Sequence, residues 1–130
     1  MKPIRFKFAP AKALAALHWI ISEQPGIDLH PILKACYFAD KSHLNAFGRP
    51  IFGATYKAMK FGPVPLEIYV MLKSEPLWLA ELGIEQVPWQ LDGYHLRLTG
   101  NQEPDIGALS ESNMEHLGAA LRASRTMTFQ

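Results

Sequence analysis

Residues 48–65, which decide how this chain folds, read GRPIFGATYKAMKFGPVP. Three glycines and three prolines surround a short stretch, 54–60, in which small or apolar residues alternate with polar ones. Alternation of this kind predicts a short strand. The glycines match neither the GxGxxG nor the GxxxxGK(S/T) pattern, so a phosphate-binding loop has no support. Two interpretations remain for residues 48–65: a catalytic turn, or a rigid surface that holds another molecule.

Two amphipathic helices are predicted on the N-terminal side of this segment. Apolar residues recur at intervals of three and four positions over 10–23, which indicates a first helix. Asp28 can cap a second helix, which is expected to run to residue 47. Gly48 is suited to a left-handed helix end and should terminate it.

The residues after the segment predict a third helix over 63–75. Gly62 and Pro63 are expected to form a tight turn that launches it, with Pro63 near the first helical position, where proline is tolerated. Residues 66 and 68–72 are all apolar and cover almost every direction of the helical wheel. Such a helix lies either in the centre of the core or half covered by a partner. One or two further helical turns are predicted over 75–83.

The last third of the chain supplies the small β element. Residues 84–100 contain two β-like runs joined by Asp92 and Gly93, a strong hairpin signal. Ser110 can cap a final helix, and Ser112 with Glu115 offers a capping box in the alternative frame. The fold class expected is mainly α (α+β), as one compact helical domain over 1–130 with a small β-hairpin or short sheet.

Composition sets limits on location and class. The chain has 130 residues, of which 48% are apolar and 19% are charged, as in an ordinary globular domain. Its longest apolar runs, such as 68–72, are too short to cross a bilayer, and residues 1–10 lack the apolar core of a signal peptide. The single cysteine, Cys36, cannot form an internal disulfide. These features predict a cytoplasmic protein without a membrane partner.

Charge is distributed unevenly along the chain. Residues 1–60 hold nine basic and three acidic residues, whereas residues 61–130 hold four basic and nine acidic ones. A basic half is compatible with nucleic acid or with an acidic protein. No two basic residues are adjacent, however, so nucleic-acid binding is not indicated.

Asp40 is the most informative single residue of the second helix. On a helical wheel it falls in the middle of an apolar stripe formed by Leu29, Leu33, Cys36, Leu44 and Phe47. A buried carboxylate is costly unless it is paired or hydrogen-bonded. The candidate partners are Arg49, Tyr56, Lys57 and Lys60. We predict that Asp40 and Arg49 are structural, together with Gly62 and Pro63.

A catalytic interpretation of Asp40 is the alternative. His43 lies three residues away at the edge of the same stripe, so the two side chains could form an acid/base or metal pair of a small hydrolase. The five histidines form no HExxH or Cys/His pattern, and no serine stands in a GxSxG turn. Cys36 has the setting of a buried hydrophobe. The sequence thus predicts no enzyme, no cofactor and no metal site.

At this point the motifs resemble a known family. Seven residues match a block that reads approximately YFAD-K-HL, namely Tyr37, Phe38, Ala39, Asp40, Lys41, His43 and Leu44. A second block, approximately GRPI-GD-Y-A-KYGPVP, is matched by Gly48, Arg49, Pro50, Ile51, Gly53, Tyr56, Ala58, Lys60, Gly62, Pro63, Val64 and Pro65. The chain resembles the Panacea domain family of SocA-like antitoxins, often found in prophages, over about residues 6 to 123.

Two departures from the family pattern are visible. The family usually has an acidic residue where this chain has Ala54, which cannot make the contacts of a carboxylate. Members commonly continue into a further segment with a histidine and a tryptophan, whereas this chain stops at TMTFQ. It is expected to be a short member of the family or a truncated one.

The resemblance implies a non-enzymatic protein that neutralises a co-encoded toxin by direct binding. One branch of the family is similar to adaptors that deliver the toxin to a bacterial ATP-dependent protease. The rivals are a DNA-binding autorepressor of the toxin–antitoxin operon and the small hydrolase built around Asp40 and His43. No polar, basic recognition helix of a helix-turn-helix pair is visible in the sequence.

The resemblance implies that residues 48–65, the rigid segment, form a turn surface between two helices. A partner-binding surface is predicted on this segment and on the apolar helices after it. Its residues are Tyr56, Lys57, Lys60, Phe61, Tyr69 and Trp78. Alternate residues of a strand point to opposite faces. We expect the face with Met59 and Phe61 to cover the core, because it is the more apolar one. Tyr56 and Lys60 should then face outward or reach Asp40 from the edge of the segment.

Overall fold

The computed structural model describes residues 7–60, 62–74 and 76–126. In chain order the elements are α1 (Pro10–Glu23), α2 (Leu29–Phe47), β1 (Tyr56–Met59), β2 (Gly62–Pro65), α3 (Leu66–Leu72), α4 (Pro76–Leu82), β3 (Trp89–Asp92), β4 (His95–Leu98) and α5 (Glu111–Thr126), with a short 3-10 turn at Ile106–Ala108. Each pair of strands forms its own antiparallel sheet. The expected mainly α fold with a small β element is confirmed.

Helices α1 and α2 have the predicted bounds, but one predicted cap is different. Gly48 ends α2 in the left-handed conformation, at φ 76°, which glycine adopts without strain. Asp28 holds the N-cap position, yet its carboxylate makes no capping hydrogen bond. It lies instead 2.6 Å from Nδ1 of His95. The pairing ties the start of α2 to β4.

Helix α5 packs along α2 and begins with a reciprocal cap. The hydroxyl of Ser110 accepts the backbone N–H of Asn113 at 3.1 Å, and the Asn113 side-chain oxygen accepts the N–H of Ser110 at 3.0 Å. Two donors of the first turn are thereby satisfied. The prediction that Ser110 caps the final helix is confirmed. Leu117 and Leu121 of α5 lie in the core.

The residues after Gly62 form a strand, so the predicted tight turn into a helix was wrong. Gly62–Pro65 is β2, which pairs antiparallel with β1, and α3 begins only at Leu66. A residue that precedes proline is pushed away from the helical region. Gly62 and Val64 both precede proline, which favours extended backbone up to Pro65. Residues 48–65 therefore contain both strands of a hairpin, and the sequence patterns predicted only the first of them.

The predicted second hairpin is confirmed. β3 pairs antiparallel with β4, and Gly93 turns the chain at φ 64°. β4 is fixed to the connection between α1 and α2, because Gly26 donates to the Leu96 carbonyl and Leu96 donates to Ile27. The Tyr94 carbonyl accepts the N–H of Leu29, which brings the hairpin turn to the start of α2. Within the described ranges, no helix combines the length and apolarity needed to cross a membrane.

We expect Ser110→Ala to lower the free energy of unfolding by about 1 kcal/mol, because the first turn of α5 loses the acceptor for the Asn113 N–H. Ser110→Gly should cost only a few tenths of a kcal/mol, since glycine is itself a good N-cap. Urea unfolding followed by circular dichroism measures both. Equal losses in the two variants would contradict the capping role.

Candidate functional site

The carboxylate of Asp40 holds the glycine-rich segment to α2. Asp40 is 3% exposed, and its Oδ1 accepts the backbone N–H groups of Ile51 at 2.7 Å and Phe52 at 2.8 Å. Its Oδ2 accepts the hydroxyl of Tyr56 at 2.5 Å. Of the four expected partners, Tyr56 is the one that donates to the carboxylate. The carboxylate thus fixes the chain at two points, 51–52 and 56.

The anchored residues are themselves part of the core. Ile51 and Phe52 are buried, and the Phe52 carbonyl accepts the N–H of Ala9, just before α1. At the other side, Glu67 on α3 accepts both the N–H and the hydroxyl of Thr55. The segment that leads into β1 is therefore held by α1, α2 and α3 together.

Burial changes the pKa values of both Asp40 and Tyr56. Desolvation raises the pKa of Asp40, and the hydrogen bonds from Tyr56 and the backbone of Phe52, Ile51 and Ala54 partly oppose this rise. Burial, followed by the nearby charge of Asp40, raises the pKa of the Tyr56 phenol. Tyr56 therefore keeps its proton and acts as a donor. A carboxylate with its lone pairs occupied in this way is suited to anchoring rather than to proton transfer.

His43 forms a second polar anchor on the same helix. It is 1% exposed, and its Nδ1 donates to the Arg49 carbonyl at 2.7 Å, since that oxygen can only accept. Its Nε2 lies 2.9 Å from the hydroxyl of Ser112 and 3.3 Å from the amide nitrogen of Asn113. His43 thus joins the segment after α2 to the start of α5.

The hydrolase pair from the sequence is not assembled. Within the described ranges no hydrogen bond joins Asp40 to His43, because each side chain has its own partners. Arg49 is an exposed residue, and its carbonyl accepts the hydrogen bond from His43. Cys36 is fully buried, and burial raises the pKa of its thiol, as suits a core hydrophobe. No group of side chains in the described ranges could hold a metal ion.

The C-terminal end of the α2 stripe leaves the core. Leu44 and Phe47 are 39% and 50% exposed. The ring of Phe47 contacts the rings of His43 and His116, with centroid distances of 4.7 and 5.7 Å. The stripe therefore continues past the buried part of α2, and its last residue, Phe47, contacts α5 at the surface.

An apolar groove of about 440 Å³ lies beside the anchored hairpin. It lies between the first turns of α2, the β1–β2 hairpin and the start of α3, with Tyr94 at its side. The apolar lining consists of Leu29, Leu33, Met59, Pro63, Val64, Leu66, Tyr69 and Tyr94. Four basic residues also line it, namely His30, Lys34, Lys57 and Lys60.

The structure brings only some of the predicted partner residues to this groove. Lys57, Lys60 and Tyr69 line it, as do Gly62 and Pro63, which were expected to be structural. Tyr56 points to Asp40 instead, and its ring meets Tyr37 edge to face at 5.4 Å. Trp78 lies elsewhere and packs edge to face on Phe8 at 5.1 Å. Phe61 falls outside the described residues.

The predicted orientation of β1 was wrong for Met59, whereas the alternative expectation that Tyr56 reaches Asp40 is confirmed. Met59 was expected to cover the core but is 51% exposed, whereas Tyr56 is half-buried. The physical reason is the Asp40 carboxylate, which draws Tyr56 inward and so turns the alternate face outward. A prediction from apolar content alone would place the Met59 face of β1 against the core.

Sequence reasoning missed Tyr94, His30 and Lys34 as groove residues. They meet the hairpin only through tertiary contacts, because the turn of β3–β4 is hydrogen-bonded to the start of α2. One signal was present in the sequence: Tyr94 is a large aromatic residue beside a predicted hairpin turn, where small polar residues are preferred. In the structure Tyr94 is 72% exposed. An exposed aromatic of this kind is typical of a binding surface.

Comparison with known proteins places these features in context. A family model described as antitoxin SocA-like, Panacea domain, matches residues 32–130. The matched part contains Asp40, the β1–β2 hairpin, α3 and α5. Neither the curated proteins nor the solved structures include a match to the chain.

We expect Asp40→Ala to lower the free energy of unfolding by about 1–3 kcal/mol, because the buried N–H groups of Ile51 and Phe52 and the Tyr56 hydroxyl lose their acceptor. The exposed Asp105 provides a matched control, and Asp105→Ala should change stability little. Thermal melting of both variants measures the difference. An Asp40→Ala protein as stable as the wild type would contradict the anchoring role.

The raised pKa of Asp40 makes stability depend on pH. Between the ordinary aspartate value of about 3.9 and the higher folded-state pKa, the folded chain binds more protons than the unfolded chain. Titration of Asp40 therefore adds stability as the pH falls through the folded-state pKa, and this contribution is lost as the pH rises. Asp40→Asn lacks it. The wild type should gain stability relative to Asp40→Asn as the pH is lowered towards 3.9. Urea unfolding across this range tests the sign, and a constant or shrinking difference would contradict it.

Proposed function

Because the chain belongs to the family of SocA-like antitoxins with a Panacea domain, we propose that it neutralises a co-encoded protein toxin by binding it directly. Membership implies a toxin partner in general. The observation that carries the proposal is the apolar groove of about 440 Å³ beside the β1–β2 hairpin. Apolar grooves on protein surfaces commonly bind a segment of a partner protein through its apolar side chains.

The walls of the groove contain the residue types that dominate binding energy. Tyr69 and Tyr94 are aromatic, and Met59 is a flexible apolar side chain that adapts to a partner. Met59 and Tyr94 are exposed although both are large and apolar. Contiguous exposed apolar surface often marks an interaction site.

Rigidity of the hairpin also supports a binding role. Its entry is fixed by the hydrogen bonds of Asp40 to Tyr56 and of Glu67 to Thr55. A surface that is already ordered loses less conformational entropy when a partner binds. The glycines and prolines of the hairpin thus serve recognition by holding the groove in one shape.

A non-enzymatic role agrees best with the polar residues. Asp40 and His43 are buried, and their donors and acceptors are used within the fold. A hydrolase would need a nucleophile or an activated water at a substrate site. Hydrolysis of generic ester substrates that depended on Asp40 would support the rival.

An autorepressor role is the remaining alternative. Lys57 and Lys60 alternate with apolar groove walls, so their surroundings suit a protein segment better than a phosphate backbone. Salt-dependent binding to DNA from its own promoter would favour the autorepressor.

The similarity of one branch of this family to adaptors extends the proposal to delivery of the bound toxin to an ATP-dependent protease. Simple sequestration and delivery differ in one measurable quantity, the lifetime of the toxin in cells. A lifetime that shortens when the antitoxin is present, and only in cells with the protease, would support delivery. An unchanged lifetime with full neutralisation would support sequestration.

We expect Met59→Glu to weaken capture of the co-encoded toxin at least tenfold and to reduce rescue of growth, because it buries a charge in the groove wall. Leu77→Glu is the matched control, since Leu77 is 69% exposed on α4 beside Trp78. Pull-down, growth rescue and melting curves are measured for both variants. If Leu77→Glu abolished binding and Met59→Glu did not, the interface would lie at α4 instead.

A further inference from the structure

The groove is lined by charge of one sign. Lys34, Lys57 and Lys60 are among the residues that line it, together with His30. None of the described residues that line it is acidic. Clustered charge within low-dielectric walls attracts groups of the opposite sign. The chain as a whole carries only +1, so this positive character is local.

The positions of the charged and apolar side chains indicate which chemical groups a ligand of this groove should carry. Lys57 and Met59 lie on the same face of β1, and Val64 stands opposite Lys57 in β2. A ligand that satisfied the lysines would therefore also meet apolar side chains. A peptide with both carboxylates and a large apolar side chain fits this pattern, whereas a purely anionic small molecule does not use the apolar walls.

The hairpin also influences how such a peptide is held. Pro63 and Pro65 have no N–H to donate, so β2 presents few donors to an added strand. Main-chain pairing along β2 is thus disfavoured. Recognition would depend on side chains that enter the groove.

We propose that this groove binds an acidic segment of the toxin, with carboxylates on Lys57 and Lys60 and one large apolar side chain between Leu33, Tyr69 and Tyr94. This inference rests on the proposed function and names the chemistry of the partner. Electrostatic complementarity of this kind raises the association rate and makes binding sensitive to salt.

The test uses short overlapping synthetic peptides that tile the sequence of the co-encoded toxin, with binding to the full chain measured by fluorescence anisotropy. Acidic peptides that contain a large apolar residue should bind, and peptides of basic character should not. Raising the ionic strength from about 0.01 M to about 0.15 M shortens the Debye length from about 30 Å to about 8 Å. Binding should weaken accordingly.

Charge reversal locates the binding site. Lys57→Glu and Lys60→Glu should each weaken the acidic peptides about tenfold, whereas Arg122→Glu, an equal change on the exposed surface of α5, should leave binding unchanged. Lys57→Gln should give an intermediate loss. Melting curves establish that each variant is folded.

Intact toxin separates the two proposals. If Lys57→Glu and Lys60→Glu capture the toxin as well as the wild type does, the toxin binds outside the groove. This inference is then overturned, while the proposed function stands. The inference is likewise overturned if the peptides that bind are neutral or basic. If the wild type fails to capture intact toxin, the proposed function falls and this inference falls with it.

Discussion

The buried carboxylate of Asp40 is the constraint on which the rest of the hairpin side of the fold depends. Taking a carboxylate out of water is costly, and the cost is offset only when several donors converge on it. Here the backbone must bend so that Ile51 and Phe52 present consecutive N–H groups, and Tyr56 must then point inward. Once Tyr56 faces inward, the alternate residues of β1 face the groove and the solvent.

His43 complements this anchor from the next turn of α2. Asp40 fixes the segment through N–H donors, while His43 fixes it through the Arg49 carbonyl and reaches α5 through Ser112. One helix thus organises two neighbouring parts of the chain with two polar side chains three residues apart. Asp40 and His43 are close in sequence, yet each hydrogen-bonds to different groups and holds a different part of the fold in place.

Local signals were sufficient for much of this fold. The bounds of α1 and α2 followed from apolar spacing and from Gly48, and the need of Asp40 for a partner followed from the cost of burying charge. β2 was missed because proline suits both a first helical turn and an edge strand, and only pairing with β1 decides between them. The inward turn of Tyr56 and the arrival of Tyr94 at the groove depend on contacts between distant residues, so periodicity could not show them.

Cys36 lies one helical turn before Asp40 and gives the molecule an intrinsic reporter. Its thiol is fully buried, and burial disfavours the thiolate that reacts with alkylating reagents. Modification therefore requires α2 to separate transiently from the elements that cover it. The rate of labelling would record how often this core opens, and a ligand that binds only the closed form would slow it. The single cysteine thus makes transient opening of this core measurable without any engineered probe.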